Sequence, residues 1–439
     1  MQTRFTAEQL RDPHVAASEK AIRTCVHCGF CNATCPTYAL LGDELDGPRG
    51  RIMLMKDMLE NQRTPSAQTV KHIDRCLSCL SCKTTCPSGV DYMHLVDHSR
   101  AWIEQRYQRP WIDRTLRALL AWLLPYRQRF AVALALGRVF APLRGLLPRR
   151  GVFRSLRAML ELAAKPRGVV GTPVIAGTAV PRARVAFLDG CAEPVLQPGI
   201  QQAARRLFAR MGIEVVAAPG QGCCGALVHH LGREAQSVAF ARANIDAWSR
   251  VIEQGGLDAI VVTASGCGTS LRDYGFLLRD DPAYAERAAR VSALARDVSE
   301  VIAHHGLPPV TRPGGELRVA YHAACSLQHG QRVREPPRAL LTQAGFSLTE
   351  VPDAHLCCGS AGVYNILQPE LAGALRTRKL TALASGSPQL VATGNIGCLT
   401  QLSRGTGGLP VVHTVELLDW ATGGPKPAAM PSPPQVSPS

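Results

Sequence analysis

Along the chain, apolar positions keep two different rhythms. Short apolar runs lead into single cysteines: RVAFLDGC ends at Cys191, AIVVTASGC at Cys267, LRVAYHAAC at Cys325 and LVATGNIGC at Cys398. Their length and branched content are those of buried strands. Between them, residues 198–211, 233–254, 333–344 and 367–383 carry apolar side chains at helical spacing. Strand and helix in alternation predict α/β units with cysteines at strand ends, where open sheets place their ligands. Upstream the rhythm is helical. Thr6-x-x-Gln9 has the form of a capping box, and after the Gly47-Pro48 break RIMLMKDML reads as an amphipathic helix. The longest charge-free stretch, 380–403, is broken by Gly386, Pro388, Gly394, Asn395 and Gly397. A spanning helix needs about 20 predominantly apolar residues, so none is expected.

The cysteines sort this pattern into parts. Eight of the 16 lie in residues 25–86, none in 87–190, four in 191–267 and four in 325–398. The later eight form a repeat: Cys191, then 31 residues, then Cys223-Cys224-Gly225, then Cys267; and Cys325, again 31 residues, then Cys357-Cys358-Gly359, then Cys398. Equal spacing and matching flanks indicate a duplication. Gly220-x-Gly222-x-x-Gly225 formally matches a dinucleotide fingerprint, but the second copy, AHLCCGSAG, drops the first two glycines and keeps the cysteines. The retained element is CCG, which suits a ligand loop. Four thiols per copy could hold a cluster, a metal or a thiol–disulfide centre, or be buried structural cysteines. His229, His230, His322, His329 and His355 lie near these sets and read mostly as ordinary loop or core histidines.

The first eight are more specific. Cys25-x2-Cys28-x2-Cys31-x3-Cys35-Pro36 recurs as Cys76-x2-Cys79-x2-Cys82-x3-Cys86-Pro87. This is the bacterial ferredoxin spacing for [4Fe–4S] clusters: two-residue gaps wrap three thiolates around a cube, and the fourth cysteine serves the other cluster. The expected ligation is therefore crossed, Cys25, Cys28, Cys31 and Cys86 on one cluster and Cys76, Cys79, Cys82 and Cys35 on the other. Each fourth cysteine is expected to open a helix, with proline in its first turn. Structural zinc, the competing reading, pairs two CxxC knuckles across a longer spacer. His27 within the first loop is expected to lie behind the thiolates or face solvent. Arg49 and Arg51, in the bridge between the runs, either offset cluster charge or are solvated at the surface.

Composition adds two constraints. Hydrophobic residues make up 46% of the 439 and charged ones 19%, which excludes disorder for most of the chain. The net charge is +15, and only seven of the 49 basic residues are lysine. From Arg114 to Leu160 there are ten arginines with no lysine or acid, interleaved with Leu, Ala, Trp and Phe. Such a segment reads as amphipathic helices for an anionic membrane or partner, or as a solvated face packed on the core. The polar N-terminus lacks a secretory signal, and reduced thiols suit the cytoplasm. The expected location is thus cytoplasmic, with peripheral contact at the cytoplasmic face of the inner membrane. No P-loop, serine-hydrolase elbow or flavin fingerprint is present in the sequence.

Taken with CVHCGFCNATCPTYALLGDELDGPRGR, RCLSCLSCKTTCPSGVDY, GCCGALVHH, TASGCGTSL, HLCCGSAG and ATGNIGC, the chain resembles the iron–sulfur subunits of bacterial glycolate oxidase (glycolate dehydrogenase) over nearly its whole length. The resemblance implies an α+β multidomain protein. Its parts are a mostly helical ferredoxin-type domain with two [4Fe–4S] clusters (1–100), an Arg-rich helical connector (101–180), two α/β cysteine-rich CCG repeats (181–310 and 311–422) and a disordered Pro/Ser-rich tail (423–439). It implies an oxidoreductase subunit that takes electrons from flavin-containing partners oxidising glycolate, with D-lactate a related substrate, and passes them to membrane quinone or another acceptor. No catalytic residue and no nucleic-acid partner are expected. The repeats are similar to those of the CCG-bearing subunit of heterodisulfide reductase, where each set ends in CxxC. Here Cys267 is followed by Gly-Thr-Ser270 and Cys398 by Leu-Thr-Gln401, so the fifth cysteine of that pattern is missing from both copies. Two alternatives remain: the iron–sulfur subunit of anaerobic glycerol-3-phosphate dehydrogenase, and a zinc-stabilised interaction module.

Overall fold

The computed structural model describes residues 1–148, 152–163, 181–314, 317–405 and 407–430. Its first part is helical. Asp12 caps the helix Pro13–Thr24 by accepting from the His14 and Val15 amides, and Pro13 supplies the first-turn φ. The expected capping box is present, Thr6 N to Gln9 Oε1 at 2.6 Å and Gln9 N to Thr6 Oγ1 at 3.2 Å, but it closes only the short turn Gln9–Arg11. Helices Pro48–Glu60 and Tyr92–Arg106 pack with Pro13–Thr24 around Ile22, Ile52, Met55, Leu59, Leu95 and Ile103. The boundary expected at residue 100 falls inside Tyr92–Arg106, which carries the chain out of the domain without a break.

Two four-stranded, all-parallel sheets follow. The first comprises β1 (Ala183–Phe187), β2 (Ile213–Val216), β3 (Ala259–Val262) and β4 (Ala295–Asp297) in the order β2-β1-β3-β4. The second comprises β5 (Arg318–His322), β6 (Ser347–Thr349), β7 (Leu390–Thr393) and β8 (Val411–His413) in the order β6-β5-β7-β8. Central strands β3 and β7 are buried at every residue, because helices cover both faces. The four helical segments predicted from periodicity are seen as Gly199–Arg210, Glu234–Glu253, Glu335–Gln343 and Pro369–Ala384.

The repeats clasp each other reciprocally. The helix after the first strand of each repeat packs on the helix after the last strand of the other, Gly199–Arg210 on Thr414–Ala421 and Glu335–Gln343 on Val298–His305. One apolar core runs through both sheets. Asp419, 1% exposed, is held by Arg206 at 2.6 Å and Arg210 at 2.5 Å across the seam. Burying that carboxylate is tolerable only because two guanidinium groups pair with it. The chain expected to be a tail from residue 423 stays against the second repeat as far as Met430: Arg312 Nη1 donates to the Gly424 carbonyl at 2.7 Å, and Met430 joins the core. Residues 431–439 lie outside the described part, as do 149–151 and 164–180 of the connector.

Among the described residues, the connector forms three α-helices, Trp111–Leu123, Arg127–Phe140 and Val152–Ala163, with a 3-10 turn at Ala141–Leu146. Its inner side is tied down, with Arg109 and Arg117 both reaching Asp74 at 2.6 and 2.8 Å. Its outer side is not. Trp111, Leu119, Trp122, Val132, Leu136, Val139 and Phe140 are exposed among exposed arginines 114, 138 and 144. No helix among the described residues is long and apolar enough to cross a membrane.

The helical domain docks on the sheets through polar pairs as well as apolar contacts. His94 on Tyr92–Arg106 bridges Asp91 and, at 2.8 Å, Asp273 of the first repeat, and stacks on Phe276. Burial works against charge on His94, but its two carboxylate partners prevail and hold its pKa at about 9. The stabilisation from this raised pKa is complete below the ordinary value of 6.5 and is lost as pH rises through about 9. The thermal midpoint is therefore expected to fall between pH 6.5 and 9 more steeply in the native protein than in His94→Gln, with parallel curves as the contrary result.

Candidate electron-transfer site

Each ferredoxin run folds into a loop with left-handed residues at the same two places. His27 (φ 62°) and Gly29 (φ 86°) take these positions in the first loop, Ser78 (φ 49°) and Leu80 (φ 61°) in the second. Alternating hand turns successive cysteines toward one centre, and a leucine held there stores strain that the surrounding structure must offset. Arg100 secures the second loop, donating to Ser78 Oγ and to the Cys76 carbonyl, both at 2.6 Å. The two runs differ after their fourth cysteine. Cys35-Pro36 opens the helix Pro36–Leu41 as expected, whereas Cys86-Pro87 enters a turn closed by Gly89 N to Cys86 O at 3.2 Å. Gly89, at φ 69°, breaks the would-be helix.

Two cavities result. Cys25, Cys28, Cys31 and Cys86 line one, with Cys82 in its wall, and Cys35, Cys76, Cys79 and Cys82 line the other. Cys28 is exposed at the rim of the first cavity, beside the exposed side chains of Val26 and Phe30. The second cavity is deeper, with all four of its thiols buried. His27 lines the first, partly buried and with Nε2 unpartnered among the described residues.

The segment GDELDGPRGR builds the wall between the cavities. Helix Pro48–Glu60 lies so close on the turn Glu44–Asp46 that a Cβ on Gly50 would sit 2.1 Å from the Glu44 carbonyl oxygen. That approach delivers Arg51, 1% exposed, to the second cavity. Its Nη1 is 3.8 Å from Cys35 Sγ, Nη2 donates to Thr37 Oγ1 at 3.0 Å, and Nε donates to the His72 carbonyl at 2.7 Å. Asp46, fully buried, balances it and also binds His72 Nδ1 at 3.0 Å and Arg75 at 2.7 Å. Of the two readings of these arginines, Arg51 is thus buried beside a thiol. Arg49 is half-buried, pairs with Glu44 at 2.6 Å and also lines the first cavity.

The residues present fit a thiolate-held cluster. Each cavity offers four converging thiols against apolar walls, and in the second hydrogen-bond donors are aimed at sulfur: Arg51 at Cys35, and Tyr92 Oη at Cys76 Sγ, 3.7 Å away. Burial, then neighbouring thiols, pushes Cys79 and Cys82 well above the ordinary thiol range and Cys31 to about 11. Thiols crowded in this way ionise readily only against a cationic centre, which inverts the local balance.

In the repeats every cysteine follows a strand at its C-terminal end: Cys191 after β1, Cys223 and Cys224 after β2, Cys267 after β3, and Cys325, Cys357, Cys358 and Cys398 after β5, β6 and β7. β1 and β3, like β5 and β7, flank the point where strand order reverses, so each set gathers at a topological switch point. Cys325 Sγ lies 3.7 Å from Cys357 Sγ. Gly225 and Gly359, both at φ 85°, turn their amides onto Cys223 and Cys357 Sγ at 3.4 Å. This explains the glycine of CCG and disposes of the dinucleotide fingerprint: Gly225 opens only the short helix Ala226–His230 after β2. Beside the first set, Glu193 is buried with its pKa pushed up to about 8 by desolvation, against a hydrogen bond from Thr263.

The second set adjoins the second ferredoxin cavity. Cys79 and Leu77 share an apolar cluster with Cys357, Cys325, Tyr364 and Leu375. Tyr364 Oη donates to the Arg75 carbonyl at 3.2 Å, and Thr84 Oγ1 meets His329 Nδ1 at 2.7 Å. The first set also faces this loop, since one cleft is lined by Ser78, Leu80 and Cys224. Asp97 anchors that contact with Arg100, His229 and His230 around it. Of the histidines that read as ordinary in sequence, His229, His230 and His329 thus join the domains; pairing across a domain seam leaves no local pattern.

A dicluster ferredoxin domain set against two switch-point thiol sites defines a class of protein, the cluster-bearing redox subunits. Comparison with known proteins agrees. A 4Fe-4S dicluster domain model matches residues 21–90, and a cysteine-rich domain model matches 185–272 and 319–403. The chain is 44% identical to the glycolate oxidase iron-sulfur subunit of Escherichia coli (strain K12) over 96% of its length and 99% of that protein. It is 31% identical to a probable glycolate oxidase iron-sulfur subunit of Bacillus subtilis (strain 168), over 92% and 95%. A crystal structure of a hypothetical protein from Helicobacter pylori shares the fold, with TM-score 0.54 at 9% identity over 87% of this chain and 68% of that one. The chain belongs to the glycolate oxidase iron–sulfur subunit family. Neither the glycerol-3-phosphate dehydrogenase reading nor the zinc module is favoured by these relatives.

A Cβ on Gly359 would lie 2.7 Å from the Ala372 carbonyl, whereas one on Gly373, in the helix beside it, would meet nothing within 4 Å. Gly359→Ala is expected to cost about 2 kcal/mol from the left-handed backbone and the overlap together. Gly373→Ala is expected to be neutral or slightly stabilising. Urea unfolding of both variants checks this, and equal midpoints would contradict it.

Proposed function

We propose that this chain is the electron-transfer subunit of a glycolate-oxidising complex, and that it relays electrons without a flavin or substrate site of its own. The observation that carries the reading is the continuity of thiol sites, from exposed Cys28, through the two cavities that meet at Cys82, to Cys79 beside Cys357. In this reading Cys25, Cys28, Cys31 and Cys86 hold one [4Fe–4S] cluster, and Cys76, Cys79, Cys82 and Cys35 hold the other. The clusters supply one-electron steps; the chain positions them, excludes water from the deeper one and sets charge beside it through Arg51. The flavin-containing partner docks at Val26 and Phe30, apolar side chains exposed beside Cys28. Electrons leave toward membrane quinone.

The test is reduction of the anaerobically co-purified complex by glycolate, followed by EPR. Clusters are expected to be reduced by glycolate only when the flavin subunit is present; reduction by glycerol 3-phosphate and not by glycolate would overturn the assignment. Cys28→Ser and Cys79→Ser are each expected to remove one cluster and most electron transfer while the repeats stay folded. Full iron content in both variants would refute the ligand sets.

The exposed Trp, Leu, Val and Phe side chains of the connector, set among Arg114, Arg138 and Arg144, support a peripheral position on an anionic lipid surface, at the cytoplasmic face of the inner membrane. Flotation with vesicles containing anionic phospholipid is expected to carry the protein up at low salt, and vesicles of zwitterionic lipid much less. Changing the three arginines to glutamine should abolish the difference. Equal binding to both vesicle types would argue against this contact.

A further inference from the structure

The two repeats are not equivalent at their cysteine-bearing ends. His322 is the last residue of β5, paired in register with Thr393 of β7, and is 2% exposed. Its ring, with Cys358 and Cys398, forms a buried group whose ligand atoms all lie within 4.8 Å of one another. Among the described residues neither ring nitrogen makes a well-formed hydrogen bond, the backbone of His322 and Ala323 lying near the ring without the geometry for one, and the Thr393 hydroxyl is likewise unpaired. A buried imidazole needs at least one acceptor for its N–H, and leaving it without one is unfavourable. A nitrogen lone pair buried among thiols has a natural partner in a soft or borderline cation.

The remaining thiols extend from this group. The separation of Cys325 and Cys357, 3.7 Å, matches the edge of a thiolate tetrahedron, about 3.8 Å for metal–sulfur bonds of about 2.3 Å. Asn395 Nδ2 donates to Cys398 Sγ at 3.3 Å, an arrangement that favours the thiolate form. In the first repeat the position of His322 is taken by Leu188, which is 3% exposed and packs in an apolar core. The CxxC that would supply a fifth sulfur is absent from both repeats, and only the second offers a replacement donor at this position.

We propose that His322 supplies a nitrogen ligand to a thiophilic metal centre held with Cys358 and Cys398, either iron in a cluster whose further thiolates are Cys325 and Cys357, or a zinc ion whose fourth ligand is one of those two. The second repeat then carries a mixed nitrogen–sulfur site and the first an all-sulfur set. If the metal is iron, exchanging a thiolate for neutral imidazole removes negative charge and raises the reduction potential, as in clusters with histidine ligands. This inference goes beyond the glycolate reading and stands or falls separately from it.

The experiment uses the full-length protein, purified anaerobically and labelled with 15N-histidine, with metal analysis, pulsed EPR and X-ray absorption. For iron, the reduced protein is expected to show an imidazole nitrogen coupling that His322→Leu abolishes, while the two ferredoxin signals persist. For zinc, the native site is expected to show mixed sulfur and nitrogen coordination, and His322→Leu to lose the ion. His322→Cys is the second variant, expected to retain metal while its nitrogen signature disappears. A native protein with neither a histidine-nitrogen coupling nor nitrogen-coordinated zinc would overturn the proposal, as would metal content and spectra unchanged in His322→Leu. Loss of the ferredoxin signals in Cys28→Ser or Cys79→Ser bears on the electron relay and leaves these readouts intact.

Discussion

Crowding of buried thiols is the constraint around which the molecule is organised. A single cysteine is a small apolar side chain that any core accepts, but four converging on one cavity oppose each other's ionisation and leave a void between them. Burial and then neighbouring thiols raise Cys79 and Cys82 well above the ordinary thiol range; Cys357 and Cys358 are raised as far, by opposing hydrogen bonds along the row of thiols first and by burial after them. A cationic centre turns that penalty into binding energy and ties folding to cluster loading. The left-handed residues of the two ferredoxin loops and the glycines of CCG all serve this convergence.

Around it stands a second layer of buried charge. Arg51 beside Cys35 is balanced by Asp46, which also holds His72 and Arg75. Lys379, 3% exposed, reaches the carbonyls of Asp353 and Ala354 near the second set; burial lowers its pKa, and the neighbouring cysteines act to raise it. A cation enclosed in low dielectric acts on nearby redox charge far more strongly than one in solvent. Both therefore sit where they can tune the sites. Arg114, Arg138 and Arg144 of the connector, by contrast, are exposed to solvent.

The duplicated half shows how one scaffold accommodates two environments. Its repeats share strand order, helix packing and the CCG turn. They differ at single positions that face the thiols, Leu188 against His322, and Glu193 against Leu327 two residues after the leading cysteine. Helices clasped reciprocally across one core keep the two sheets in fixed relation, so differences at the strand ends need not disturb the fold.

Much of this was legible in the residues themselves. Cysteine spacing, the 31-residue interval and the helical periods are local properties, and they specified the dicluster loops, the duplication and four helices to within about two residues. Local signals also marked the cysteines as strand-end residues, because an apolar run must stop where its burial stops. Other features were decided only by tertiary structure. Whether Arg51 is solvated or buried depends on how closely Gly50 lets its helix approach a neighbouring turn. Helix Tyr92–Arg106 runs through the expected boundary because no breaker interrupts it, and residues 423–430 stay packed because Arg312 and the core hold them. His94–Asp273, Asp97–His229 and the isolation of His322 join residues far apart in the chain. Partners at such separation leave no mark on periodicity or spacing; only the folded arrangement determines whether a buried polar atom is satisfied.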